Sequence, residues 1–138
     1  MRLLITTILM LVPIYPSNAD TTNRALQVSP VPGLFVGGVG LRCKTSEGND
    51  TFVLLTKDRE TAGSASFEDD DVTYDMMPLK RKTPNYYTYS DNVDFVINRQ
   101  SLVLETESRS YSCEIQNISD LHKAAEKNLK MLLSNNKI

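Results

Sequence analysis

Cys43 and Cys113 are the only cysteines in the chain, and they constrain its fold more than any other feature. Each sits in a β-prone run, and about seventy residues separate them. In an oxidising compartment such an isolated pair reads as a structural disulfide, and no Cys-x-x-Cys spacing marks a redox pair. Closing a loop of that length is worth about 4 kcal/mol in the chain-entropy model, a large share of a marginally stable domain. A bond between the first and last strands brings the two ends of a sheet together, so the expected fold is mainly β, a small antiparallel barrel or sandwich closed by one disulfide.

The oxidising compartment is itself read from the N-terminus. Arg2 precedes the apolar run Leu3 to Val12, Pro13 and Pro16 interrupt it, and Ser17 and Ala19 supply the small residues at −3 and −1 of a cleavage site. Residues 1–19 are therefore expected to be a signal peptide, cut before Asp20, and the protein to be secreted or periplasmic. No later stretch approaches the roughly 20 apolar residues of a membrane span. With 138 residues and a net charge of −2, made slightly more acidic once Arg2 is removed, one domain is expected and non-specific nucleic-acid binding is disfavoured.

Residues 20–32 are polar with Pro30 and Pro32 and read as a flexible arm. Residues 33–116 carry the β pattern. A first strand ends at Cys43, bent where Gly37, Gly38 and Gly40 fall; a second covers Thr51 to Thr56; a weaker one runs from Ser64 to Phe67. Val72, Tyr74 and Met76 alternate with polar neighbours, Tyr86 to Tyr89 is aromatic, and Val93 to Thr106 reads as a hairpin about Asn98, Arg99 and Gln100, with Leu102 and Leu104 on one face. Tyr111, Cys113 and Ile115 share a face of the last strand. In 117–138 the period becomes helical through Leu121, Ala124, Ala125, Leu129, Leu132 and Leu133. Ser119 is the expected N-cap, Asp120 lies in the first turn, and the apolar stripe is expected to pack on the β domain.

Candidate sites are few. His122 is the only histidine, and on the first turn of a helix it reads as a solvated residue. The chain lacks a Gly-x-Ser-x-Gly elbow, a His-Glu-x-x-His pair and a phosphate-binding glycine loop, so no catalytic residue, metal or cofactor is assigned. The acids Glu68, Asp69, Asp70 and Asp71 lack the ligand alternation of a calcium loop. With the basic run Lys80, Arg81 and Lys82 they flank one expected strand, and two such opposite charges can steer a protein partner. The tyrosines are assigned to packing between strands. Asn49 with Thr51, and Asn117 with Ser119, fit the N-glycosylation pattern.

A leader, a first-strand Cys43, a last-strand Cys113 and a β domain between them resemble the periplasmic inhibitors of C-type lysozymes, which are small eight-stranded barrels. The inhibitory loop of that family has the form Ser-Ala-Ser-Gly-Ala-Arg-Tyr, of which Ser64, Ala65 and Ser66 are present here, followed by Phe67 and acids. Ile97, Arg99, Ser101, Leu102 and Leu104, then Tyr111, Cys113 and Glu114, are similar to short leader-bearing proteins of bacteria and their phages, to which no activity is attached. The expected function is a non-enzymatic, exported binding protein, with inhibition of a cell-wall hydrolase as its sharpest form. The alternative is an envelope-associated protein that engages a partner or membrane surface through its C-terminal helix.

Overall fold

The computed structural model of the protein describes residues 31–136; the expected signal peptide and all but the last two residues of the arm lie outside them. Eight strands follow one another and close into an antiparallel barrel in which each pairs with its neighbours in sequence. They are β1 (Val39–Lys44), β2 (Asp50–Leu55), β3 (Thr61–Glu68), β4 (Asp71–Lys82), β5 (Tyr86–Asp91), β6 (Val93–Asn98), β7 (Val103–Glu105) and β8 (Ser110–Gln116). Helix α1 (Ile118–Ser134) follows. Of the two architectures the sequence allows, the barrel is the one formed, and β1 pairs with β8 to close it.

Cys43 stands directly opposite Cys113 in the β1–β8 ladder, with Cα atoms 3.9 Å apart, and the two are bonded. The disulfide thus staples the seam where the barrel's first and last strands meet. Inside, Leu41, Cys43, Val53, Leu55, Ala62, Met77, Tyr89, Ile97 and Leu104 form one buried cluster. The alternating residues of the same strands supply a second cluster outside the barrel: Phe52, Leu54, Val72 and Tyr74 meet Leu121, Ala125 and Leu129 of α1. Two-residue alternation on the strands and a four-residue step on the helix therefore divide the apolar side chains into two layers. Gly40 makes the second layer fit, since a Cβ there would lie 2.8 Å from Cδ2 of Leu121.

Several local expectations are corrected. Gly33–Phe35 is a 3₁₀ turn, and β1 begins only at Val39, because Gly37 adopts a φ of 83° and Gly38 passes so close to β2 that a Cβ would collide with the Leu55 carbonyl. The weak third strand is part of an eight-residue β3. Leu102 lies in the β6–β7 turn at a φ of 60°, which breaks the alternation with Leu104. The N-cap of α1 is Asn117, whose side chain accepts from the Asp120 amide at 2.8 Å and donates to the Asp120 carboxylate at 2.9 Å. Ser119 is already inside the helix.

The β3–β4 hairpin is longer than the barrel wall requires. β4 pairs with β3 from Asp71 to Pro78 but with β5 only from Leu79 onward. β3 pairs with β2 only through Ala62, Gly63 and Ser64. The outer half of the hairpin therefore leaves the barrel and lays Ala65, Phe67, Val72 and Tyr74 along α1. Phe67 meets Phe52 edge to face at 6.2 Å.

Candidate functional site

The charged runs occupy the two ends of β4. Glu68 and Asp71 close the hairpin tip, with Asp69 at a φ of 54° in the turn between them. Lys80, Arg81 and Lys82 end the same strand. Nine residues at about 3.3 Å each put roughly 30 Å between Asp71 and Lys80, so the two patches do not form one site.

The basic run has other partners. On the outer face of the barrel, away from α1, Lys80 and Arg81 line a depression of about 400 Å³ with Thr83, Tyr86, Thr88, Asp94, Val96 and Glu105. A second depression of about 430 Å³ shares Asp94, Val96 and Glu105 and extends to Glu107. Lys82 is not among these residues. Together they make a shallow groove across β4 to β7 with cations on one bank and carboxylates on the other. The strand period builds it: Tyr89, Phe95, Ile97 and Leu104 face the interior cluster, which turns Thr88, Asp94, Val96 and Glu105 outward.

The Lys80 ammonium stands 3.5 Å from the Asp94 carboxylate, both half exposed. A hydrogen bond from Ser90, aided by Lys80, holds the Asp94 carboxyl below its ordinary range. Asp94 is thus a fixed anion at neutral pH beside a cation held by a weak, solvated pair that a ligand can replace at little cost. Tyr86 adds an exposed ring at the basic end. Asp94, Glu105 and Thr88 do not stand out in the sequence, and Tyr86, assigned there to packing between strands, is exposed instead. Their shared outward parity in three neighbouring strands was the available signal, but only the register brings them together.

His122 is buried, with 8% of its surface exposed, which corrects its reading as a solvated residue. It follows Leu121, and the face of α1 that docks on the barrel is wide enough to take in both. The Tyr74 hydroxyl lies 2.8 Å from its Nδ1, and the Glu126 carboxylate lies 3.6 Å from its Nε2, one helical turn on. Burial, with a smaller contribution from Glu126, pushes the Tyr74 phenol up to about 12. The set ties β4 to α1 in the layer that buries Phe35 and Leu121.

The tyrosines otherwise serve packing. Tyr89 is fully buried in the barrel and donates to the Arg59 carbonyl at 2.7 Å. Tyr87 carries the Arg99 guanidinium 4.5 Å above its ring. Ser64, Ala65 and Ser66 lie within strand β3 and pair with Asp75, Tyr74 and Thr73; the tripeptide is part of a ladder, with Ala65 turned towards α1. Among the described residues no group of three or more metal-binding side chains is gathered, and no helix is long and apolar enough to cross a membrane.

Compared with known proteins, the chain matches no family model, no curated protein and no solved structure.

Proposed function

We propose that this is an exported, non-enzymatic binding protein that presents the outer face of β4 to β7 to a protein partner. The observation that carries this reading is the groove in which Lys80 and Arg81 oppose Asp94 and Glu105 around an exposed Tyr86. Opposite charges at fixed spacing select one orientation of a partner and speed its approach. An exposed tyrosine offers contact area at small entropic cost.

Two further features support it. The barrel interior is filled by its own side chains, which directs recognition to the exterior. The seam disulfide is consistent with an extracellular or periplasmic location. Inhibition of a cell-wall hydrolase is the sharpest form of the proposal. The Ser64–Ser66 tripeptide does not contribute to it, so an inhibitory contact is assigned to the groove.

Quantitative affinity capture tests the proposal. The wild-type chain and a Lys80→Glu/Asp94→Lys double variant are each exposed to the envelope or extracellular proteins of the producing cells and of their neighbours. The proposal expects specific proteins held by the wild type and lost from the double variant, with Glu114→Gln on β8, outside the residues that line the groove, retaining them. The same proteins held equally by all three would sink it.

A further inference from the structure

The outer half of the β3–β4 hairpin has an open edge. β4 pairs with β3 without a register shift from Asp71 to Pro78, whereas its pairing with β5 begins only at Leu79. Among the described residues, the stretch from Val72 to Pro78 therefore has a strand on one side alone. The Leu79 N–H donates to the Glu60 carbonyl at 2.8 Å in line with that ladder, so the odd-numbered residues of the stretch turn their backbone groups towards β3. Val72, Tyr74 and Met76 turn theirs to the open side. Pro78 belongs to the same set, where its missing N–H removes no bond with β3. Such a row of backbone donors and acceptors is a template for one more strand.

The two faces of β4 indicate what that strand carries. Val72 and Tyr74 lie in the apolar layer with α1, and Met76, of the same parity, is 38% exposed. Thr73 and Asp75 have the opposite parity and are exposed. A strand added beside them alternates in the same way, so apolar side chains suit one of its faces and cations the other. Charge also decides between occupants. Residues 61–79 hold five acids, Glu68 to Asp71 and Asp75, and no Lys or Arg. Two copies of the chain joined edge to edge would bring two such hairpins together against like-charge repulsion, whereas a basic segment is drawn to the same edge.

We propose that the open edge of β4, through Val72, Tyr74 and Met76, binds an extended segment of another protein by antiparallel strand addition, and that apolar residues alternate with Lys or Arg in that segment. None of these three residues lines the groove of β4 to β7, so the two surfaces are tested apart.

Amide hydrogen exchange followed by NMR on the purified chain tests this, with short probe peptides that alternate Lys with Val or Arg with Leu. At least one peptide should protect the amides of Val72, Tyr74 and Met76. N-methylating its apolar residues, whose amides an antiparallel strand turns to β4, should abolish that protection, and N-methylating its basic residues should preserve it. Asp75→Lys should weaken binding about three- to tenfold, while Lys80→Glu/Asp94→Lys binds as the wild type does. No protection by either peptide at about 1 mM, or protection that survives N-methylation of the apolar residues, would overturn the proposal. Protection of the same amides that rises with protein concentration and needs no peptide would overturn it in favour of a second copy.

Discussion

The hydroxyl of Tyr74 on β4 and Nδ1 of His122 on α1 lie 2.8 Å apart, and this contact joins the helix to the barrel by a buried polar link within an otherwise apolar layer. Tyr74→Phe removes it and should cost about 1 to 2 kcal/mol, the range for losing a buried hydrogen bond. Urea unfolding followed by circular dichroism reads the change. Tyr86→Phe, on the exposed face, should stay within about 0.5 kcal/mol of wild type.

The same phenol sets an alkaline limit. Burial pushes Tyr74 up to about 12, and burial also raises Tyr89, whereas an unfolded tyrosine titrates near 10. The folded chain therefore keeps protons that the unfolded chain releases first. The stability linked to these groups is fully present below about pH 10 and is lost as pH rises through about 12. Unfolding midpoints measured from pH 8 to 12 should fall over that window, and Tyr74→Phe should flatten the slope. A flat profile in the wild type would contradict the assignment.

The start of α1 distinguishes two neighbouring residues. Asn117→Ala removes the side chain that caps the Asp120 amide and should cost about 1 kcal/mol. Ser119→Ala, inside the first turn, should cost no more than a few tenths of that. Thermal unfolding of the two variants gives the order directly.

Gly40 supplies the space in which α1 docks. A Cβ there would stand 2.8 Å from Leu121 Cδ2 and 3.1 Å from the Gln116 carbonyl. Gly40→Val should destabilise by about 1 to 3 kcal/mol through overpacking. Combining it with Leu121→Ala should give less than the sum of the two losses, because the second change vacates the space the first invades.

What the sequence made legible was mostly local. The Val93 to Thr106 hairpin, the helical step from Leu121 to Leu129 and the cysteine pair each follow from a few residues, and each holds in the fold. What it hid depends on partners distant in the chain. Asn117 and Ser119 are equally good caps by type, and the choice between them rests on where β8 ends. His122 is buried because of the width of the docked face, which its own neighbours do not reveal. Lys80 and Asp94 are fourteen residues apart, and only the path of β4 across the barrel puts them on one face, while it carries Asp71 to the far end.

The hydrolase form of the proposed function has its own test. Lysozymes of several types, assayed on cell-wall suspensions, should include at least one that the wild-type chain inhibits and that Lys80→Glu/Asp94→Lys leaves active. If every type stays fully active with the wild-type chain in excess, that form is abandoned.

Cys43 and Cys113 close the β1–β8 seam, we propose that the chain so closed is exported, and its intact mass checks both. Protein recovered from the secreted or periplasmic fraction is weighed before and after reduction and alkylation. The account predicts a chain beginning at Asp20 whose two thiols are alkylated only after reduction, and a loss of about 4 kcal/mol in the Cys43→Ala/Cys113→Ala variant. A retained leader, or thiols alkylated without reductant, would contradict it.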